Sequence, residues 1–333
     1  MNIERLQAKM KALDLEISKE NITPLNGDAS ARQYFRIQLS QKSYILCWDH
    51  LLKENQEFSF VDTQKFFCAK GIPVPRIEKT NFIEGLILQQ DLGDQTFFKV
   101  ISKLDNSESI YDYYQRAIDI LIKIQNIVLG AEQPIGMLQN RFDAKKFLEE
   151  IEMTFNYYFK EGIPRFNLET ESKNALTDLE IICEKIASKK MYLCHRDYHS
   201  RNLMIFGNEL FVIDFQDARP GIPLYDLVSL IDDCYYGVSS LNKDKLKKYY
   251  WKMFLEEKKD YESYDDFLYY YNLTLIQRTL KAVGSFAWIN VNKGDSSYLE
   301  HIRPAILKII GILDLLKEFD NLNVFLKRYM NEG

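Results

Sequence analysis

Three polar residues in the second half of the chain have the spacing and the chemistry to hold a metal ion beside a proton acceptor. Asn202 follows Asp197 by five residues, and Asp214 follows Asn202 by twelve. Carboxylate and amide oxygens suit Mg²⁺, and a carboxylate can also act as a general base. Between the last two residues, two short apolar runs flank the turn Gly207-Asn208, which predicts a β-hairpin. Such a hairpin would bring Asn202 and Asp214 to one wall of a cleft.

The segment from His195 to Asn202 fits the pattern H-R-D-x-x-x-x-N, the catalytic-loop signature of kinase-type phosphoryl transfer. Transfer of a γ-phosphoryl group needs cations on the phosphate oxygens and an acceptor hydroxyl held in line. We therefore predict that Asp197 accepts the proton of that hydroxyl, while Asn202 and Asp214 ligate Mg²⁺. A single aspartate in a loop is usually a cap or a turn former, so the prediction depends on the whole combination.

Five neighbouring residues have other expected roles. His195 is interpreted as structural, packed behind the loop, whereas His199 beside the base could contact substrate or lie exposed on the surface. Arg201 is a further candidate for substrate contact, and Asp217 could face either the magnesium site or the acceptor. Asp226 stands near the start of a predicted helix, where we expect it to cap that helix or bond back to the catalytic loop.

Two regions of different character must position these residues. Residues 1–90 predict a helix, a five-stranded sheet and one further helix, since short β-prone runs alternate with polar turns. The predicted strands cover about 22–25, 34–39, 44–48, 76–79 and 85–89, and the second helix about 56–70. Beyond residue 91 amphipathic patterns predict helices over about 94–103, 108–130, 143–161 and 167–188, and again from 225 to the end. We expect a nucleotide-binding lobe over 1–90 and a helical lobe over 91–333 with the catalytic loop and substrate site.

The N-terminal region carries candidate groups for binding phosphate. The turn from Gly27 to Ser30 would cover nucleotide phosphates with its backbone N–H donors. Arg32 and Arg36 are four residues apart on an expected strand, so they share one face and could offer donor pairs to phosphate; solvated surface arginines are the open alternative. The predicted nucleotide contacts are Gly27, Ser30, Arg32, Arg36, Gln89 and Asp91.

Composition limits the class of protein. The chain has 333 residues, of which 46% are hydrophobic and 27% charged, as is typical of a globular protein. A formal charge of −5 gives no general attraction to nucleic acid or to an anionic membrane. Five cysteines without a CxxC pair predict buried thiols in a reducing compartment. With no signal-peptide pattern and no apolar run of roughly 18 residues, we expect a soluble cytoplasmic monomer that acts on a small molecule.

Three stretches of the sequence resemble a known family. They are GDASARQYFRI at 27–37, HRDYHSRNLMIF at 195–206 and VIDFQDARPGIPLYDLVSL at 212–230, supported by GIPVPRI at 71–77 and DLG at 91–93. Through them the chain resembles the aminoglycoside phosphotransferase-like superfamily. Within that superfamily it is most similar to the cell-wall amino-sugar kinases, which phosphorylate the anomeric hydroxyl of N-acetylmuramate and N-acetylglucosamine.

The resemblance implies an α+β, protein-kinase-like fold of two lobes, with a small N-terminal antiparallel sheet lobe and a larger, mainly helical C-terminal lobe. It also implies that ATP, with Mg²⁺, and a sugar give ADP and the sugar 1-phosphate, in the recycling of peptidoglycan. One departure concerns the third strand, where kinase-like folds usually place a lysine for the α- and β-phosphates, since the segment 44–49 contains none and Lys42 lies just before it. Either Arg32 or Arg36 replaces this lysine, or the chain binds nucleotide poorly.

Three functions stay open at this point. The first is the sugar 1-kinase, and the second is a kinase of another small hydroxyl substrate, such as an aminoglycoside or choline. A cationic acceptor would need an acidic pocket. The candidates are Asp232, Asp233, Glu256, Glu257, Asp265 and Asp266, although acidic runs of this kind are usually solvated surface. The third is a nucleotide-binding pseudokinase that acts as a scaffold, which the missing lysine would favour.

Overall fold

An antiparallel sheet and two helices form the first part of the fold. The computed structural model describes residues 3–25, 32–49, 59–130, 133–139, 141–160 and 169–332. The first elements are α1 (Ile3–Met10), β1 (Ile22–Leu25), β2 (Gln33–Leu39), β3 (Lys42–Trp48), α2 (Ser59–Ala69), β4 (Ile77–Asn81) and β5 (Leu86–Gln90). The strand order is β1-β2-β3-β5-β4, with every pair antiparallel. The predicted five-stranded sheet is confirmed, with each strand end within two residues of its predicted position.

The two faces of this sheet have different neighbours. On one face, side chains such as Phe35 and Leu46 are buried in a core that includes residues of α1. On the other face Arg36 lies opposite Ile45 of β3, and Ile45 lies opposite Gln89 of β5. Directly opposed residues of an antiparallel pair place their side chains on the same face. These three side chains therefore line up across three strands, on the face away from α1.

Beyond residue 90 the chain is mainly helical, as predicted. The helices are α3 (Phe97–Ile101), α4 (Ser107–Gln125), α5 (Ile135–Gln139), α6 (Ala144–Thr154), α7 (Glu169–Ala187), α8 (Leu224–Ile231), α9 (Ser240–Tyr250), α10 (Tyr264–Lys293), α11 (Ile302–Leu316) and α12 (Asp320–Glu332). Helices α3 and α4 are shorter than predicted. Their starts are fixed by Thr96 and Asn106, whose side chains accept backbone hydrogen bonds from Lys99 and Glu108.

Two short antiparallel ribbons interrupt the helices. Strand β6 (Tyr192–Cys194) pairs with β9 (Arg219–Gly221), and β7 (Leu203–Phe206) pairs with β8 (Glu209–Val212). The second pair is the predicted hairpin, and Gly207 adopts a φ of +62° in its turn, which suits a residue without a side chain. The loop between β6 and β7 and the segment after β8 carry the predicted catalytic residues, so the two ribbons frame the site.

Helix α10 is the central element of the helical part, and it packs on α6, α7, α8 and α11. Its contact with α6 is close, because a Cβ at Gly284 would lie 2.8 Å from Thr154 N. The hydroxyl of Thr154 donates to Leu280 O across the same contact, at 2.6 Å. These contacts fix the height and rotation of α10 beside the ribbons.

The structure bears on the predicted burial of the cysteines and on the expected lack of a membrane-spanning helix. All five cysteines are free, and Cys47, Cys183 and Cys194 are buried. The prediction of a buried thiol is wrong for Cys68, which is exposed because Phe66 and Phe67 take the inward positions at this end of α2. In the described part of the chain, no helix combines the length and the apolar character needed to cross a bilayer.

Candidate active site

The loop between β6 and β7 contains the H-R-D motif, and the first turn of α8 fixes its backbone. Asp226 is fully buried and accepts backbone hydrogen bonds from His195 N at 2.6 Å and Arg196 N at 2.9 Å. Burial raises the pKa of Asp226 to about 7, although these donors act to lower it. Arg196 has a φ of +85°, a conformation that side chains disfavour, and the bonds to Asp226 hold it there. The predicted bond from Asp226 to the catalytic loop is confirmed.

The imidazole of His195 makes a second tie between the loop and the ribbon. Its Nδ1 accepts a hydrogen bond from Asp197 N at 3.3 Å, which leaves Nε2 to donate to Ile213 O at 2.9 Å. The ring is fully buried, and burial lowers its pKa. The structural interpretation of His195 is therefore confirmed, since it links the residue that carries the predicted base to the residue before Asp214.

Asn202 and Asp214 meet because the hairpin folds the chain back. Asn202 Nδ2 lies 3.4 Å from Asp214 Oδ2, and it donates to Asp197 O at 2.9 Å. Gln216 Nε2 donates to the other oxygen of Asp214 at 2.7 Å. Asp214 is exposed, with a φ of +62°. Two side-chain amide groups thus approach a carboxylate that has no cation beside it among the described residues.

These residues fit a magnesium ion that is held partly by phosphate. Asp214 offers an anionic oxygen, and a half-turn of the Asn202 amide would offer a neutral one. The described residues include no group of three or more His, Cys, Asp or Glu side chains that could hold a metal ion by themselves. A cation at this position would need further oxygens from a nucleotide and from water, which is how Mg²⁺ is usually bound in phosphoryl-transfer enzymes.

A cleft of about 320 Å³ lies between the sheet and the hairpin. The residues that line it include Tyr34, Arg36, Ile45, Gln89, Asp91, Arg201, Asn202, Met204, Ile213, Asp214 and Phe215. The volume is within the usual range for a small-molecule site. Gln89 is buried, and its Oε1 has no hydrogen-bond partner among the described residues. The cleft therefore combines apolar walls with an unpaired acceptor at the sheet end and a carboxylate at the hairpin end.

The two arginines of the N-terminal region have different surroundings. Arg36 lines the cleft, where it bonds Asp91 at 2.7 Å and Asp94 at 2.9 Å. Arg32 is not among the lining residues; its Nε donates to Asp49 at 3.1 Å. Both guanidinium groups thus already contact carboxylates. The predicted contacts at Gly27 and Ser30 lie outside the described residues.

Asp197 faces a second, smaller cavity on the other side of the loop. The residues that line it include Asp197, His199, Ser229, Asp232, Asp233, Cys234, Tyr235, Arg278, Lys281 and Phe286. The bond from the Asn202 amide to the carbonyl of Asp197 connects the two cavities. Asp197 thus lies where a group bound in the smaller cavity could meet a phosphate bound in the cleft.

Two cations from α10 flank the carboxylate of Asp197. Lys281 Nζ lies 3.1 Å and an Arg278 NH2 nitrogen 3.8 Å from Asp197 Oδ1. Burial would raise the pKa of Asp197, but Lys281 and Arg278 outweigh it, and the pKa is well below its usual range. Sequence reasoning missed both residues. The available signal was that Arg278 and Lys281 are the only charged residues between Asp266 and Lys293 of α10.

The three predicted substrate contacts lie in three different places. His199 lines the cavity beside Asp197, and its Nδ1 is buried without a partner among the described residues. Arg201 lines the cleft instead, with its guanidinium 3.7 Å from the ring centre of Tyr235. Asp217 lines neither cavity; it bonds Arg196 at 3.2 Å and Arg219 at 3.1 Å.

The acidic candidates named from the sequence do not form a pocket for a cationic acceptor. Asp233 accepts hydrogen bonds from Ser200 N at 3.0 Å and Tyr235 N at 2.9 Å. Asp232 contacts Lys243 and Lys308 and accepts from Tyr271. Of the six acidic candidates, only these two line the cavity, and their carboxylates are already occupied. The other four candidates, Glu256, Glu257, Asp265 and Asp266, do not line it.

Comparison with known protein families gives a match over most of the chain. The profile of the phosphotransferase enzyme family matches residues 21–266. An N-acetylmuramate/N-acetylglucosamine kinase of Pseudomonas aeruginosa is 28% identical over 289 residues, which cover 85% of this chain and 81% of that protein. A protein of the same name from Neisseria meningitidis serogroup B is 26% identical over 295 residues, with 88% and 84% covered.

Solved structures share the fold at lower identity. Aminoglycoside phosphotransferase APH(2'')-Ib with bound ADP superposes with a TM-score of 0.62 at 13% identity, covering 92% of this chain and 98% of the other. Choline kinase LicA from Streptococcus pneumoniae gives a TM-score of 0.61 at 14% identity, with 93% and 99% covered. These similarities confirm the predicted protein-kinase-like fold.

Proposed function

Because the chain belongs to the phosphotransferase enzyme family, we propose that it transfers the γ-phosphoryl group of ATP to the anomeric hydroxyl of N-acetylmuramate or N-acetylglucosamine. Its curated relatives carry the name of that activity. The observation that carries the proposal is the position of Asp197, which lines the smaller cavity while its backbone bonds the Asn202 amide in the cleft. Such a reaction would serve the recycling of peptidoglycan sugars in the cytoplasm.

The cleft is the proposed nucleotide site. Gln89, which lines the cleft, would bond the base through its unpaired Oε1. Arg36 is our candidate to take the role of the strand lysine, because it lines the cleft, whereas Arg32 and the exposed Lys42 at the start of β3 do not. Its bonds to Asp91 and Asp94 would orient the guanidinium for phosphate. We also propose that Asp91 begins the second lobe, with residues 1–90 forming the nucleotide-binding lobe.

Asn202 and Asp214 are the proposed ligands of Mg²⁺, which when bound would neutralise the charge of the phosphates. The hairpin sets the separation of the two side chains before any ligand arrives. This arrangement of Asn202 and Asp214 beside Asp197 argues against the scaffold function. A protein that only bound nucleotide would have no need of a carboxylate aimed into a second cavity.

Asp197 is the proposed base, although its pKa is low. The carboxylate is ionised over the whole physiological range, so it can always accept a hydrogen bond from the acceptor hydroxyl and orient it. With a loose phosphoryl-transfer transition state, catalysis depends mainly on positioning and on electrostatic stabilisation, so the orientation of the hydroxyl matters more than the basicity of the carboxylate. An anomeric hydroxyl is more acidic than an ordinary alcohol, which makes it a suitable partner for a weak base.

Release of ADP by the purified protein tests the proposal. With ATP and Mg²⁺ we expect turnover with N-acetylmuramate or N-acetylglucosamine and none with kanamycin or choline. Phosphorus NMR of the product should show a phosphate on the anomeric carbon. Turnover with kanamycin or choline alone, or with no sugar at all, would contradict the proposed function.

A further inference from the structure

The smaller cavity contains a pair of cations on one face of one helix. Arg278 and Lys281 are three residues apart on α10, a spacing that makes them neighbours on the helix surface. Their side chains are only 12% and 14% exposed. Ordering a lysine in a half-enclosed cavity costs side-chain entropy and hydration, so this position calls for an explanation.

The other charges of the cavity are already compensated. Asp232 contacts Lys243 and Lys308, and Asp233 accepts backbone and hydroxyl hydrogen bonds from Ser200. These two carboxylates therefore have little left to offer the cations of α10. The acidic group that remains for Lys281 is Asp197.

Lys281 has donors to spare. An ammonium group has three N–H donors, and among the described residues its only acceptor is Asp197 Oδ1, at 3.1 Å. Arg278 is partly used, since its Nε donates to Ser229 Oγ at 2.9 Å and its guanidinium lies 5.6 Å from the ring centre of Tyr225. Its terminal nitrogens lie toward Asp197, the nearer at 3.8 Å. The free donors of both residues thus converge on the space beside the proposed base.

We propose that Arg278 and Lys281 form a subsite for an anionic substituent of the acceptor sugar, namely the carboxylate that N-acetylmuramate has and N-acetylglucosamine lacks. This inference rests on the proposed function. A hydroxyl held by Asp197 and a carboxylate held by Lys281 can be about 9 Å apart, given the 3.1 Å contact between the two residues and hydrogen bonds of about 2.8 Å. That span is sufficient for the anomeric hydroxyl on C1 and the carboxylate of the ether substituent on C3 of one sugar ring.

The subsite predicts a preference that depends on charge. The wild-type protein should have a higher kcat/KM for N-acetylmuramate than for N-acetylglucosamine, and Lys281→Gln should lower the ratio of the two values at least tenfold. A charge-assisted hydrogen bond of about 1.5–3 kcal/mol corresponds to this range. Lys281→Arg should keep most of the ratio. Lys293→Gln, which removes the same charge from an exposed position at the end of α10, is the matched control and should leave the ratio unchanged.

The methyl ester of N-acetylmuramate separates charge from size. If Lys281 binds the carboxylate, wild type should discriminate against the ester, and Lys281→Gln should cost no more with the ester than with N-acetylglucosamine. Equal losses with all three sugars would overturn the subsite and leave Lys281 as a residue that only positions Asp197. Absence of wild-type turnover with any sugar would instead overturn the proposed function, and the subsite with it.

Discussion

Asp226 Oδ2 accepts the backbone N–H of His195 at 2.6 Å, across 31 residues of sequence. Its other oxygen accepts the N–H of Arg196, so a single buried carboxylate determines the path of the loop that presents Asp197. A carboxyl group, ionised or protonated, can receive both donors at once, one on each oxygen. An asparagine at this position would direct its own side-chain N–H groups toward the backbone N–H of His195 or Arg196.

Asp226→Asn should therefore lower both stability and turnover. We expect a loss of about 1–3 kcal/mol in the free energy of unfolding, the usual cost of an unmade buried hydrogen bond, measured by urea denaturation. The kcat should fall while KM for ATP changes little, because the loop and not the cleft is disturbed. Unchanged kcat would mean that Asp226 does not position Asp197.

The difference in unfolding free energy between wild type and Asp226→Asn should also depend on pH. The pKa of Asp226 is raised to about 7 in the folded state, so the folded protein binds a proton that the unfolded chain releases at lower pH. Stability from this group is present below its unfolded pKa of about 4 and is lost as the pH rises through about 7. The difference in unfolding free energy between wild type and Asp226→Asn should thus shrink between about pH 5 and about pH 8. A difference that grows over this interval would show that the pKa is not raised.

Nucleotide binding should depend on Mg²⁺ through Asp214. In the wild type, isothermal titration with ATP should show tight binding with Mg²⁺ and much weaker binding after EDTA. Asp214→Ala should abolish this dependence, because the only anionic oxygen of the proposed metal site is removed. Asp217→Ala serves as the control, since Asp217 is paired with Arg196 and Arg219 outside the cleft. Retention of Mg²⁺-dependent binding by Asp214→Ala would contradict the ligand assignment.

The close packing of α10 against α6 predicts the effect of a substitution outside the proposed active site. Gly284→Ala places a Cβ 2.8 Å from the backbone nitrogen of Thr154, so α10 must shift, and Lys281 with it. We expect a loss of about 1–3 kcal/mol in unfolding free energy and a lower kcat. Gly311→Ala in α11 has nothing within 4 Å of the new Cβ and should be neutral or stabilise by about 1 kcal/mol. Equal thermal unfolding of the two variants would refute the packing argument.

Local patterns in the sequence predicted much of the site. The hairpin from Leu203 to Val212 follows from two apolar runs around a Gly-Asn turn, and it is enough to bring Asn202 to Asp214. The strand pattern predicted one shared face for Arg32 and Arg36, but of the two only Arg36 lines the cleft. It could not indicate that Asp91 and Asp94 would be its partners, because a period of two gives a face and no neighbours.

The cations beside Asp197 lay beyond local reasoning. Lys281 follows Asp197 by 84 residues, and only the packing of α10 on α6 and α8 brings it to the loop. For the same reason the sequence could not indicate which acidic candidates reach the cavity or what their partners are. Asp232 and Asp233 do reach the cavity, but Asp232 is already paired with Lys308 of α11, and Asp233 accepts hydrogen bonds from Ser200 and Tyr235.

The most direct test of the whole account is the turnover of Asp197→Asn, measured as ADP release with N-acetylmuramate alongside Mg·ATP affinity. We expect kcat to fall by about 10²–10⁴, the usual contribution of a positioned base, while Mg·ATP binds as in the wild type. Asp112→Asn, on the exposed face of α4, should keep full kcat. If Asp197→Asn also kept full kcat, this carboxylate would not be the group that receives the acceptor hydroxyl.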